Sequence, residues 1–426
     1  MNKYKDYIPE LVYIILLVSA GLIPNYGAFD RIATQWLYLS VLNTIGLSVF
    51  LFDKKYNDLK IKDIIQFRPF LFLIIFVLWG LASYIYSLNQ VEVIVKTIRW
   101  IQLPISLFFL LIFVKNKIPY FTETVSVLIS IILLVELYFS YSTYFDLTKL
   151  TSYNFSYANL IKGATGNKNI NAASVLIKTP FVIWLLFKTK TSLIKIVMGL
   201  LVASTIYLVL ILSARAAIIS VVLISFYLFI KFIFHFFSVK FKIKDISFPV
   251  IILSLLLPLM LFSLKYSSTN TASITNRIST INTEDTSTQQ RLRYYKHSIS
   301  QIIQNPIIGV GLGNWKIKSI DYDKQDIEGY IIPYHTHNDF LEIGAELGLI
   351  GLIIYLMIFF YPLMDLYKNK FDKGTININT LILLAGIIYF IDASLNFPHA
   401  RPVMQIPFLI ILSFSFYQSI KINKGV

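Results

Sequence analysis

The chain has 426 residues, of which 56% are hydrophobic and only 14% charged; its mean hydropathy of +0.67 excludes an ordinary water-soluble domain. It contains no cysteine, which rules out disulfides and thiolate metal sites. The net charge of +15 would suit a nucleic-acid partner, but most Lys and Arg lie in short loops between apolar runs, where they set membrane orientation instead.

Apolar runs of about 18 to 25 residues recur along the chain, and about twelve membrane-spanning helices are expected from them. They fall at 8–25, 32–52, 70–87, 97–114, 121–145, 171–187, 193–212, 215–237, 247–265, 346–366, 377–396 and 403–420. The first run has an early Pro24 and no small-residue cleavage site, so it reads as a retained helix. With the N-terminus cytoplasmic, the inside loops carry Lys54, Lys55, Lys60, Lys62 and Arg68, then Lys115 and Lys117, then Lys188, Lys190 and Lys195. Lys240, Lys242, Lys244, Lys368, Lys370 and Lys373 continue the series, while the opposite loops are poorer in basic residues.

This orientation places three polar segments on the outer face: 146–170, 266–345 and Asn396–Pro402. The expected fold is an all-α integral membrane protein of about twelve transmembrane helices, with a long periplasmic loop holding short helices between the ninth and tenth. It divides into helices one to nine (1–265), the periplasmic loop with the catalytic segment (266–345) and helices ten to twelve (346–426). In the loop, Thr283-Glu284-Asp285-Thr286 starts a helix that continues through Gln289–Gln304 and stops at Asn305-Pro306. The glycines of Pro306–Gly313 follow no strand, so they read as a tight loop against the membrane helices and not as a dinucleotide fingerprint. No internal repeat of the secondary-transporter kind is evident.

Two of the five histidines, His335 and His337, sit at the lip of the tenth helix. An imidazole titrates near neutrality and takes a proton from an acceptor hydroxyl without a metal. The alternative role for His337 is to cap the next helix, for which Asn338 and Asp339 are also suited. A metal site is not expected, because His335 and His337 are two residues apart and no carboxylate completes a standard ligand spacing. Glu342 and Glu346, spaced i, i+4, either orient the imidazole or line the polar mouth.

Arg215, among the small residues Ala214, Ala216 and Ala217, is either an interfacial anchor or an anion site with room for a phosphate. Arg291, Tyr294, Tyr295 and Ser298 share one helix face; Arg291 and Arg293 form either a solvated basic face or a second phosphate site. Gly166-Asn167-Lys168-Asn169 offers amides to sugar hydroxyls, or simply makes a turn. Asp392, inside an apolar helix, calls for a partner such as Arg401 or His399. Gly348 and Gly351 suggest close helix packing.

His337-Asn338, nine residues, Gly348, two residues and Gly351 together resemble the His-Asn-x9-Gly-x2-Gly signature of the O-antigen ligases. Gly166-Asn167-Lys168-Asn169, Ser213-Ala214-Arg215, Arg291 and Asn305–Gly311 are similar to the O-antigen ligase and polymerase superfamily in the same order, over about residues 160–402. The resemblance implies a metal-independent, inverting glycosyltransferase of the bacterial inner membrane with its active site in the periplasm and no cofactor. The implied donor is a glycan on undecaprenyl diphosphate and the implied acceptor the lipid A–core oligosaccharide. His337 would be the general base, Arg215 and Arg291 would hold the diphosphate, and Asn338, His335, Arg293, Asn167 and Arg401 would contact substrate. On that periplasmic face no ATP or nucleotide sugar is at hand, which suits a lipid-carried donor. Alternatives are an O-antigen polymerase, a protein O-oligosaccharyltransferase and, outside this class, a membrane transporter.

Overall fold

The computed structural model describes residues 7–28, 30, 32–56, 61–116, 118, 120–150, 155–238, 246–266, 286–326, 332–368 and 376–423. Among these residues the regular structure is all helical. The long helices are α1 (Ile8–Ser19), α2 (Ala33–Phe52), α3 (Arg68–Ala82), α4 (Gln90–Lys115), α5 (Phe121–Leu150), α6 (Lys168–Lys188) and α7 (Ser192–Leu212). They continue as α8 (Arg215–Ser238), α9 (Ser247–Tyr266), α10 (Thr286–Gln304), α11 (Trp315–Asp323), α12 (Asp339–Lys368), α13 (Ile378–Leu395) and α14 (Pro402–Asn423). Eleven segments are long and apolar enough to span a membrane, and the shorter apolar Ile8–Leu22 makes the twelfth expected run. The expected helical loop is present as α10 and α11, although residues 283–285, proposed as its start, lie outside the described residues.

Two helices begin well before their apolar runs. The helix expected at 97 starts at Gln90, where Asn89 caps it by accepting the Val91 and Glu92 amides. The helix expected at 346 starts at Asp339, one residue after Asn338, whose side chain accepts from the Leu341 N–H at 3.0 Å. Hydropathy misses these turns because Glu92, Lys96, Asp339, Glu342 and Glu346 are polar. They sit where the helices rise into the site.

Two charges inside the apolar helices have partners of opposite sign. Lys178 in α6 donates to both Glu136 oxygens at 2.9 and 3.0 Å, and to the Ser174 carbonyl and hydroxyl. Arg99 donates to Asp30 at 2.6 Å. Paired charges of this kind hold helices in register, and removing one partner would strand the other.

The Gly348–Gly351 spacing does something other than pack two helices. Gly348 has φ +66°, so α12 breaks inside the membrane segment. The 306–313 loop docks on that break: Leu349 N–H donates to the Pro306 carbonyl, Val310 N–H to Ala345 and Gly311 N–H to Glu346. A Cβ on Gly348 would collide with the Ile307 carbonyl, and one on Gly351 would meet Leu347 of its own helix. Gly348 thus turns the chain so that a loop can satisfy the carbonyls freed by the break. Gly348→Ala should lower folding stability by about 1–3 kcal/mol from the left-handed backbone alone, read as a lower thermal midpoint in detergent. An unchanged midpoint would show that the break is not required.

Candidate active site

The site lies at one end of the bundle, where 23–28, 30, 32, 86–89, 155–167, 213–214, 305–326, 332–338 and 396–401 converge. Its centre is the turn His335–Asn338. Thr336 closes this turn from both sides, its hydroxyl donating to the Asn338 carbonyl at 2.6 Å and accepting the Asn338 N–H at 3.1 Å. The turn forces His337 to φ +59°, a left-handed conformation that costs a non-glycine residue about 1–3 kcal/mol. Ser213 (φ +54°), two residues before Arg215, is strained in the same sense.

His337 stands between two aromatic rings. Tyr294 of α10 lies nearly parallel to it at 6.4 Å, and Phe397 meets it edge-on at 5.1 Å. The Tyr295 hydroxyl donates to the His337 carbonyl at 3.0 Å, so the face that the sequence assigned to 291, 294, 295 and 298 is the one packed on the turn. His337 Nδ1 is buried without a hydrogen-bond partner among the described residues. Burial, then the nearby Arg291 guanidinium, pushes its pKa down to about 4. The imidazole is therefore neutral at pH 7 and able to accept a proton.

His335 faces a different neighbourhood. Its ring stacks on Phe397 at 4.2 Å, and its Nδ1 lies 3.0 Å from Glu342 Oε1. Burial pushes His335 down to about 4 although Glu342 opposes the shift, so Nδ1–H donates to the carboxylate and Nε2 is left unprotonated. Glu342 also accepts the Thr336 N–H at 3.1 Å. Behind it, His399 reaches Glu342 Oε1 through Nε2 at 3.3 Å and Asp339 Oδ1 through Nδ1 at 2.6 Å. Burial works against a charge on His399, but Asp339 and Glu342 outweigh it and raise its pKa to about 9. The result is one connected chain: Asp339, protonated His399, Glu342, neutral His335.

Two expectations need correction. The hydrogen-bond partner of Asp392 is neither Arg401 nor His399: its carboxylate accepts from Asn396 Nδ2 at 2.6 Å, Arg401 acts on it only at longer range, and His399 goes to Asp339. A carboxylate does join the histidines, because Glu342 brings ligand-type atoms of His335 and His399 within 4.8 Å of one another. That spacing is invisible in the sequence, since His399 lies far along the chain. The proton on His399 and its bonds to both carboxylates already satisfy this cluster without an ion.

The remaining proposed contacts fall into three groups. Arg215 donates to the Thr288 hydroxyl at 2.6 Å, one helical turn before Arg291 on α10, so the two arginines belong to one corner of the site. Arg293 pairs with Asp323 at 2.7 Å and ties α10 to α11. Asn338 caps α12 and donates to the Ser394 carbonyl at 3.0 Å, while Asn167 caps α6 through the Asn169 and Ile170 amides. Asn167, His335 and Arg401 all line a cavity of about 610 Å³, which Asp30, Glu92, Lys96, Arg99, Lys316 and Tyr334 complete. No local signal in the sequence places Lys96, Lys316 or Tyr334 there; the tertiary fold brings them in.

Known proteins give this geometry a context. Residues 200–356, from within α7 through the signature glycines, match the family described as O-antigen ligase. A ComP-specific O-oligosaccharyltransferase of Acinetobacter baylyi is 25% identical over 99% of this chain and 73% of its own length. A protein of Rickettsia conorii named as a candidate polysaccharide ligase is 32% identical over 26% of this chain and 27% of that protein. A counterpart in Rickettsia typhi is 29% identical over 31% of this chain and 33% of its own length.

Proposed function

We propose, on the match of residues 200–356 to the O-antigen ligase family, that the chain moves a glycan from undecaprenyl diphosphate to a hydroxyl of the lipid A–core oligosaccharide. The reaction would take place on the periplasmic face of the bacterial inner membrane, with both chain termini in the cytoplasm. The observation that carries this reading is a neutral, unpartnered His337 imidazole next to Arg291, with Arg215 tied to the same helix.

In this reading Arg215 and Arg291 bind the diphosphate and neutralise the charge that develops as it leaves. His337 takes the proton of the acceptor hydroxyl as that oxygen attacks the anomeric carbon. Attack from the side opposite the leaving diphosphate inverts the configuration. The carbon–oxygen bond to diphosphate breaks, and undecaprenyl diphosphate departs with the bonding pair. No metal step is needed, since the arginines supply the positive charge. Asn338 and Arg293 act by holding the turn and α10 in place.

The pH profile follows from the same groups. Free of donor, His337 titrates at about 4, and a bound diphosphate offsets the Arg291 field and raises that value. The acid limb of kcat/KM is therefore expected near pH 4, well below an ordinary histidine's, and that of kcat at higher pH. On the alkaline side His399, with its folded pKa raised to about 9, contributes stability that is complete below about pH 6.5 and lost as pH rises through 9. Rate and thermal-unfolding profiles between pH 3.5 and 10 test both limbs. An acid limb of kcat/KM at 6.5 would show that His337 is not the desolvated base.

Gene deletion with complementation decides the acceptor. Core lipopolysaccharide with no added sugar, together with glycan accumulating on the carrier, supports the ligase; core bearing one repeat unit means a polymerase. A second reading, transfer to a protein hydroxyl, has a specific observation behind it: a relative matched along nearly the whole chain is named a ComP-specific O-oligosaccharyltransferase. An unchanged lipopolysaccharide ladder with loss of glycoprotein staining would establish that reading instead.

A further inference from the structure

The cavity beside His335 holds a cation that makes no contact ion pair among the described residues; Asp30 and Asp392 act on it only at longer range. Its other basic residues are paired: Arg99 with Asp30 at 2.6 Å, Lys316 with Glu92 at 2.7 Å, and Lys96 with Glu342 at 3.9 Å. Arg401 is not. Among the described residues no carboxylate lies within ion-pair distance of its guanidinium and no acceptor takes the guanidinium N–H groups, while its Nε is buried and unbonded. Its guanidinium rests on the Phe397 ring, 4.7 Å from the centroid, and burial lowers its pKa to about 10, so it stays charged at neutral pH. A desolvated arginine with five unused donors is costly unless a ligand supplies the acceptors.

The position of the cavity says which ligand. His337 has Tyr294, from the helix that carries Arg291, on one side and Phe397 on the other. Beyond Phe397 come His335, Arg401 and the cavity. If the arginines of α8 and α10 take the diphosphate, attack opposite the leaving group puts the acceptor on the Phe397 side. The cavity lining suits a sugar: paired charges that offer acceptors and donors, the Asn167 loop, and the exposed ring of Tyr334 at 56% exposure. Its volume lies in the range of small-ligand sites.

We propose that this cavity is the acceptor subsite and that it recognises an acidic saccharide, whose carboxylate or phosphate forms a bidentate pair with Arg401. The inference rests on the glycan-transfer reading for the word acceptor, but saccharide binding can be measured without any transfer.

The test uses the full-length protein in phosphatidylcholine nanodiscs and saturation-transfer NMR with D-glucuronate, D-glucuronamide and D-glucose as probes. Signal is expected from glucuronate and to be much weaker from the neutral amide and from glucose. Arg401→Gln should reduce the glucuronate signal to that of glucose, and Arg401→Lys should keep part of it. Should Arg401→Gln fail to fold, the comparison of glucuronate with glucuronamide on the unaltered protein still decides. Displacement of glucuronate by equimolar inorganic phosphate would assign the anionic group as phosphate, and no displacement would assign it as carboxylate. Equal signals from all three sugars, no signal at all, or saturation only by an aspartate-containing serine peptide would overturn the proposal. Glucuronate binding that persists in a His337→Asn protein, alongside an unchanged lipopolysaccharide ladder on gene deletion, would leave the saccharide site standing while the ligase reading failed.

Discussion

His337→Asn is expected to cut glycan transfer by about 100- to 10,000-fold, the usual contribution of a positioned general base. Asparagine is a better probe than alanine because residue 337 is held at φ +59°, a conformation that asparagine tolerates and alanine does not. The thermal midpoint should therefore change little, which separates lost chemistry from lost folding. The expected loss lies in kcat, with donor binding kept by Arg215 and Arg291. His335→Asn is the matched control. His335 is also neutral and also lines the site, but its Nδ1 is held by Glu342, which is the arrangement of an oriented base. A larger loss at 335 than at 337 would move the base from one histidine to the other.

The second large effect concerns the buried chain behind the histidines. Asp339→Asn removes the charge that accepts from His399 Nδ1 at 2.6 Å and from the His399 backbone N–H at 3.1 Å. Breaking a buried ion pair on one side costs about 3–5 kcal/mol, because the other charge is stranded. Folding stability should fall by that order, seen as a much lower thermal midpoint, together with transfer activity. Combining Asp339→Asn with His399→Gln removes both charges and should recover much of the loss as a coupling energy. Additive losses in the double variant would mean that the pair is not coupled. The expected recovery also distinguishes these positioning residues from His337, for which no second substitution supplies a base.

The two experiments read different parts of the site. Asp339 and His399 do not face the cavity, and they act by holding Glu342, which holds His335 and the Thr336 amide. His337 depends on that turn for its backbone, and among the described residues its Nδ1 has no hydrogen-bond partner. A purely structural role for His337 would show as a shifted midpoint with unchanged pH dependence. A catalytic role leaves the midpoint and removes the acid limb.

The sequence by itself determined the membrane architecture and the address of the site. Apolar runs must become helices in lipid, where each backbone group needs an internal partner, so the spans were legible from hydropathy alone. The helix ending at Gln304 and the placing of His337, Arg215 and Arg291 at one end of the bundle were legible too, because those residues flank runs whose direction alternates. What only the tertiary structure decided depends on contacts between distant segments. His399 meets Asp339 across 60 residues, and Asp392, for which Arg401 or His399 was expected, accepts from Asn396 one turn away. Gly348 looked like a packing glycine, but its role depends on the Ile307 carbonyl that stands against it. Hydropathy has a range of one helix, whereas ion pairs and backbone docking act wherever folding brings two groups within about 3 Å, and sequence spacing carries no record of that distance.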